Sequence, residues 1–145
     1  MPPSPESFAA PVSVTVAYLL YWYYLLLGLQ RGTKYRLQRE YGARGEPFDR
    51  YFGGDREMLA ADRAVINTQE QMVPFLVALW LCAVFAHPWL AGGLGLGYLA
   101  LRVNYPRLLG PKIGGLQPKR VYVVTVPCYL IIVTMLVSAL IGVWT

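Results

Sequence analysis

Every lysine and arginine of this chain lies in one of two short stretches, and this segregation constrains the fold more than any other feature. Outside these stretches the sequence is almost purely apolar, and only 14% of its 145 residues are charged. A typical soluble domain carries about 25% charged residues. The pattern predicts an integral membrane protein whose basic residues are confined to two loops. The basic residues are Arg31, Lys34, Arg36, Arg39, Arg44, Arg50, Arg56 and Arg63 in the first stretch, and Arg102, Arg107, Lys112, Lys119 and Arg120 in the second.

Four apolar runs alternate with these stretches. The first and the last, 12–29 and 121–144, are uncharged and long enough to cross a hydrocarbon core of about 30 Å as helices. The second run continues a helix for which Asp55, after the turn Gly53-Gly54, is the expected N-cap. We therefore predict an all-α fold, a four-helix membrane bundle forming one domain over residues 1–145. The predicted helices are about 12–29, 56–86, 89–109 and 121–144.

The two basic loops fall on the same side of a four-span protein. They follow the first and third helices, as a long polar loop over 31–62 and a Gly- and Pro-rich loop over 110–120. By the positive-inside rule both loops are expected to be cytosolic, with both termini lumenal or exterior. The expected location is the endoplasmic reticulum or another internal membrane in a eukaryote, and the inner membrane in a bacterium. The bilayer is then the main partner, and no nucleic acid is expected.

Small residues within the apolar runs have a structural interpretation. Cys82 and Cys128 lie inside apolar runs without the close Cys or His spacing of a metal site. We expect both to be buried hydrophobic side chains, and we expect no metal site. Gly93 and Gly97 have the GxxxG spacing that allows two helices to approach closely, within a subunit or between subunits.

A stripe of polar residues enters the membrane on the second helix. Arg63, Asn67 and Glu70 lie within about 60° of one another on a helix of 3.6 residues per turn, and Pro74 lies one turn deeper. A charge inside a bilayer costs roughly 2.5–3.5 kcal/mol by insertion scales, so such residues usually have partners and a function. The stripe is either a structural network between helices or a surface that binds a small zwitterion.

The third helix carries a second polar pair at the same depth. Arg102 and Tyr105 are three residues apart and therefore share a helix face. Arg102 alone would suggest a positive-inside anchor, and Tyr105 alone an interfacial aromatic residue. Two polar stripes at one membrane depth favour a common site.

The sequence resembles the family of membrane-associated proteins in eicosanoid and glutathione metabolism, which includes the microsomal glutathione transferases. The matching residues are Arg63-Ala64-Val65-Ile66-Asn67-Thr68-Gln69-Glu70, followed by Pro74-Phe75. They correspond to the family's R-A-x-x-N-x-x-E motif with its downstream P-F. Tyr98 and the segment from Arg102 to Tyr105 match the third-helix pattern more weakly.

The resemblance implies a homotrimer of four-helix subunits that uses glutathione as co-substrate. By position, Arg63, Asn67 and Glu70 would bind glutathione, joined by Arg102 and Tyr105 from the adjacent subunit. It implies a glutathione-dependent transferase or peroxidase acting on lipophilic electrophiles or lipid hydroperoxides that arrive from the bilayer.

Three departures from the family pattern bear on catalysis. Gln71 stands where some members have Tyr, and Leu109 stands where several have a second Tyr. The thiol-activating arginine of the catalytic members lies in or after the third loop, where this chain has Lys112, Lys119 and Arg120 as candidates, and the sequence does not show which of the three corresponds to it. The alternative function is therefore a non-catalytic member, a lipid-binding or scaffold subunit of a membrane complex. The long loop over 31–62 would then be a docking surface.

Overall fold

The computed structural model describes residues 4–112 and 119–145, and all regular structure within these residues is helical. Part of the predicted loop over 110–120 therefore lies outside the described residues. The helices are α1 (Ala9–Tyr23), α2 (Arg31–Ala43), α3 (Arg56–Phe85), α4 (Pro88–Arg102), α5 (Tyr105–Leu109) and α6 (Tyr122–Trp144).

The first long helix extends further than its apolar run. A π-helical turn, Tyr24–Gln30, joins α1 to α2, so that the chain is helical without interruption over Pro5–Ala43. The predicted loop is therefore wrong over residues 31–43, whereas the helix predicted from residue 56 does begin there. The connection covers only residues 44–55. The high charge of residues 31–43 suggested a loop, but α2 is an amphipathic helix with Thr33 and Leu37 buried on one face.

A small second core holds α2 against α3 beyond the apolar runs. It consists of the buried residues Leu37, Met58 and Ala61, with Tyr41 and Phe48 packed against them. Arg36 of α2 pairs with Glu57 of α3 at the edge of this core. Asp55 caps α3 as predicted, because its side chain accepts hydrogen bonds from two amides of the first helical turn.

The third predicted span is interrupted. Instead of one helix over 89–109, α4 ends at Arg102, and the five-residue α5 begins at Tyr105. Pro106 explains the break, because proline lacks the amide hydrogen that would bond the Arg102 carbonyl four residues earlier. The Tyr21 hydroxyl donates to that carbonyl instead, at 3.3 Å.

Pro5–Ala43, α3, α4 and α6 form an up-and-down bundle. The first and last described residues lie at the same end of this bundle as His87. The termini are located there by two close approaches, where a Cβ on Gly92 would collide with Ala10 and one on Gly142 would collide with the Phe85 backbone. Gly93 and Gly97 of the predicted GxxxG motif are exposed instead, so a different face of α4 packs within the subunit.

The core of the bundle lies between α1, α3, α4 and α6. Phe75 and Tyr98 stack with their ring centroids 3.9 Å apart, and the Tyr18 hydroxyl donates to the Thr68 carbonyl at 2.7 Å. Cys82 and Cys128 are buried in this core, as predicted. Within the described residues, three helical segments are long and apolar enough to cross a membrane: Pro5–Ala43, Arg56–Phe85 and Lys119–Trp144. The helix α4 has 15 residues and therefore rises only about 22 Å, so it is shorter than these three segments.

Candidate functional site

Arg102 is the most deeply buried charge of the predicted site. Only 1% of its surface is exposed, and it donates a hydrogen bond to the Asn67 side-chain oxygen on α3. Its Nε–H has no hydrogen-bond partner, and no carboxylate pairs with it among the described residues. A buried charge is costly unless it is paired. The guanidinium therefore has unused capacity to bind an anion.

Tyr105 links this arginine to the charges of the α3 stripe. The Arg102 guanidinium carbon lies 4.7 Å from the Tyr105 ring centroid, a cation–π distance. Arg63 and Glu70 both interact electrostatically with the Tyr105 hydroxyl. Arg102, Asn67 and Tyr105 are therefore in contact, and Arg63 and Glu70 share the face of α3 that carries Asn67. We call these five residues the cluster.

This cluster assembles within a single chain. The resemblance assigned Arg102 and Tyr105 to a neighbouring subunit, whereas here Arg102 bonds Asn67 of its own subunit. The cluster nevertheless opens outward: Asn67 is half-buried, and Arg63 and Glu70 are exposed on the outer face of α3. The Arg102 cation is therefore internal, whereas the charges of Arg63 and Glu70 face whatever adjoins the subunit.

Two proline residues beside the cluster cannot donate the helical hydrogen bonds that backbone carbonyls four residues earlier would normally accept. Pro74 cannot bond the Glu70 carbonyl, for the same reason that Pro106 cannot bond that of Arg102. The Tyr21 hydroxyl satisfies the Arg102 carbonyl, so the aromatic run at 21–24 contributes one residue to the site. Tyr23 and Tyr24 are exposed, and they do not take part.

Gln71 and Tyr129 form a polar pair next to Glu70 that the sequence did not predict. Gln71 is buried and donates to the Tyr129 hydroxyl of α6 at 3.1 Å, while its own side-chain oxygen is unpartnered among the described residues. Gln71 was noted only as a departure from the family pattern. Tyr129 gave one signal, a hydroxyl within an uncharged apolar run.

The three candidates for a thiol-activating base lie outside the cluster. Lys112 is exposed and acts electrostatically on Asp55, at the start of α3. Lys119 and Arg120 are exposed in a 3₁₀ turn, Lys119–Val121, that packs against α5. Among the described residues, no hydrogen bond or salt bridge joins any of the three to the five binding residues.

Comparison with known proteins agrees with the geometry. A sequence profile of the MAPEG family, the membrane-associated proteins in eicosanoid and glutathione metabolism, matches residues 8–141 of the 145-residue chain. The chain belongs to the MAPEG family. No individual curated protein matches it.

Membership in the MAPEG family agrees with the helical, membrane-bound fold. MAPEG proteins are membrane-bound, in agreement with the three apolar helical segments. The family supports a role of the glutathione-transferase or eicosanoid-metabolism type. The matched region includes the five predicted binding residues.

Proposed function

We propose that this MAPEG protein is a glutathione-dependent membrane transferase or peroxidase acting on lipophilic electrophiles or lipid hydroperoxides. The observation that carries the proposal is the buried guanidinium of Arg102, which pairs with no carboxylate among the described residues, together with the exposed carboxylate of Glu70, three residues after the Asn67 that Arg102 contacts. Glutathione carries two carboxylates and one ammonium group. A cation within the subunit and an acid at its surface match those charges.

Each residue of the cluster has a role in this proposal. Arg102 and Arg63 bind the carboxylates of glutathione, because guanidinium groups form strong paired hydrogen bonds with carboxylates. Glu70 binds the ammonium group, and Asn67 bonds a peptide group while it orients Arg102. Tyr105 supports the Arg102 guanidinium through its ring.

The proposed assembly is a homotrimer. Glu70 and Arg63 are exposed on the subunit surface in or near the membrane, where a charge facing lipid costs roughly 2.5–3.5 kcal/mol. A neighbouring subunit over this face of α3 removes the two charges from lipid. Glutathione bound between subunits would neutralise them further.

The chemistry is that of the glutathione thiol. A free thiol has a pKa near 8.5, so that only a few per cent is thiolate at pH 7. A nearby cation increases that fraction. The thiolate then attacks the electrophile and displaces its leaving group, or two glutathione molecules reduce a hydroperoxide to an alcohol and water and form a disulfide. Lys119 and Arg120 are the preferred cations for stabilising the thiolate, because their turn packs against the helix that begins with Tyr105.

The second candidate function is a non-catalytic MAPEG subunit that binds lipid or acts as a scaffold. It is favoured by the separation of Lys112, Lys119 and Arg120 from the cluster among the described residues. Such a protein would retain the binding residues and lack a base close to the thiol.

One experiment separates the two functions. The protein is purified in detergent and supplied with millimolar glutathione and either a generic aryl halide or a lipid hydroperoxide. We expect thioether formation or hydroperoxide reduction, diminished in Glu70→Gln and unchanged in the control Glu6→Gln. Glutathione binding without turnover supports the non-catalytic function. Absence of glutathione binding contradicts both the transferase and the peroxidase.

A further inference from the structure

A cleft of about 270 Å³ lies where the first long helix changes from apolar to polar residues. It lies on the π-helical turn and the first turns of α2, and the 44–55 connection closes one side of it with Arg50. None of the five binding residues lines it. Its main lining residues are Leu26, Leu27, Arg31, Lys34, Tyr35 and Arg50.

The polar end of this cleft is strongly cationic. Arg31 and Lys34 pair with no carboxylate among the described residues. Arg50 bonds Asp62 at 3.2 Å, and the same carboxylate oxygen accepts a hydrogen bond from Gln30 at 2.7 Å. Three bases therefore face one acid, which leaves a surplus of two positive charges.

The geometry of the three bases is partly fixed. The Tyr35 ring lies 5.5 Å from the Arg31 guanidinium carbon and 5.4 Å from the Lys34 nitrogen. These are cation–π distances, so one ring holds both cations at the edge of the cleft. The contact with Asp62 holds Arg50 opposite them. The cleft thus has a preformed anion-binding end.

The other end of the cleft is apolar and faces the bilayer. Leu26 and Leu27 belong to the last apolar turn of the first span, and Leu27 is 53% exposed. One helical turn separates them from Arg31, a rise of about 5.4 Å. A ligand that fills both ends must combine an anionic head with an apolar tail at the membrane surface.

We propose that this cleft binds an anionic phospholipid, with its phosphate between Arg31, Lys34 and Arg50 and an acyl chain along Leu26 and Leu27. Basic pockets beside membrane-spanning helices bind anionic lipid headgroups through the same combination of charge and depth. The site is separate from the glutathione cluster, and the inference does not depend on the proposed function. A bound lipid would fix α2, and through the second core the start of α3.

Native mass spectrometry of the detergent-purified protein tests this site. The probes are phosphatidylglycerol and phosphatidylcholine with identical acyl chains. We expect retention of phosphatidylglycerol by the wild type and about thirtyfold weaker retention by the double variant Arg31→Gln/Lys34→Gln, from the usual attraction per base near an anionic lipid. Arg50 is kept, so its contact with Asp62 remains.

A matched control removes two bases outside the cleft. Arg39 and Arg56 are exposed on α2 and α3 and have no salt bridge among the described residues. Arg39→Gln/Arg56→Gln should retain phosphatidylglycerol like the wild type. Equal losses in both double variants would overturn the site, because the attraction would then depend on net charge alone.

Two further measurements exclude other anions. Leu27→Asn should weaken phosphatidylglycerol retention, and soluble glycerophosphoglycerol at millimolar concentration should not displace the lipid. A Leu27→Asn variant with full retention would contradict the acyl-chain contact and indicate a site for soluble anions. Displacement of the lipid by millimolar glutathione would also overturn the proposal, because the cleft would then belong to the glutathione site.

Discussion

Arg102 and Asn67 form a hydrogen bond between α4 and α3 across 35 residues of sequence. The bond is the only side-chain hydrogen bond of the buried guanidinium among the described residues, and it lies at the centre of the candidate site. It couples the stability of the bundle to the position of the cation that is proposed to bind glutathione.

Replacing Asn67 should destabilise the protein through Arg102. In Asn67→Leu the guanidinium loses its partner, and the expected loss is about 1.5–3 kcal/mol, the usual contribution of a hydrogen bond to a charged group. Adding Arg102→Met should recover part of that loss, because the unpaired buried charge is removed. Thermal unfolding in detergent measures both variants. Strictly additive losses in the double variant would contradict the coupling.

The orientation of the protein can be tested by cysteine labelling. The two basic loops are expected to be cytosolic and His87 to face the other side. The native cysteines should not interfere, since Cys82 and Cys128 are 0% and 1% exposed. A membrane-impermeant maleimide should label Arg44→Cys from the cytosolic side only and His87→Cys from the opposite side only. Labelling of both positions from one side would refute the up-and-down arrangement.

Hydrophobicity and charge predicted the fold class, because a bilayer tolerates few alternatives to apolar helices. The same rule failed beyond the membrane. There, α2 is helical because Thr33 and Leu37 pack inward and Arg36 pairs with Glu40 four residues later at 2.8 Å. The burial of Thr33 and Leu37 exists only once α3 is in place, so composition alone indicated a loop. The Arg36–Glu40 pair lies within α2, and its four-residue spacing is visible in the sequence. The break at Pro106 was predictable in principle from the proline, but the Tyr21 hydroxyl that stabilises it comes from a distant helix.

Asp55 should contribute to stability in a pH-dependent way. Partial burial raises the pKa of its carboxyl, but hydrogen bonds from two α3 amides and the Tyr41 hydroxyl outweigh burial, and the pKa lies below its usual value. The stabilisation is therefore present above the unfolded-state pKa of about 3.9 and is lost as the pH falls through the lower folded-state pKa.

Asp55→Ala should therefore cost about 1 kcal/mol at neutral pH, and the difference from wild type should shrink below about pH 4. Asp55→Asn keeps a capping oxygen and should cost less. Unfolding temperatures across this pH range measure both variants. A difference between Asp55→Ala and wild type that does not change with pH would show that the cap is not the ionised carboxylate.

The site was more predictable in its residue types than in its arrangement. Helical spacing identified Arg63, Asn67 and Glu70 as one stripe because the period of a helix is fixed. Spacing could not indicate that Arg102 crosses to Asn67 within one chain, since this depends on how α4 is rotated against α3. The contact between Gln71 and Tyr129 was missed for the same reason.

The proposed trimer has a direct measurement. The exposed charges of Arg63 and Glu70 are costly against lipid, and the family resemblance implies three subunits, so we expect the native mass of the detergent-purified protein to correspond to three chains of 16.3 kDa. A stable monomer that still binds glutathione would show that one chain's cluster is sufficient. The exposure of Arg63 and Glu70 would then give no reason to expect a neighbouring subunit.

Calorimetric titration of glutathione into the wild type and Glu70→Gln tests the central claim most directly. Glu70→Gln keeps the shape of the side chain and removes its charge. In the proposed trimer a neighbouring subunit covers Glu70. Loss of one partner of a buried charged pair costs roughly 2–5 kcal/mol, so binding should weaken about thirtyfold or more, while Glu6→Gln binds as the wild type does. We expect saturable glutathione binding by the wild type and this loss of affinity in Glu70→Gln. Wild-type protein that releases no binding heat at millimolar glutathione, or equal affinities for wild type and Glu70→Gln, would contradict it.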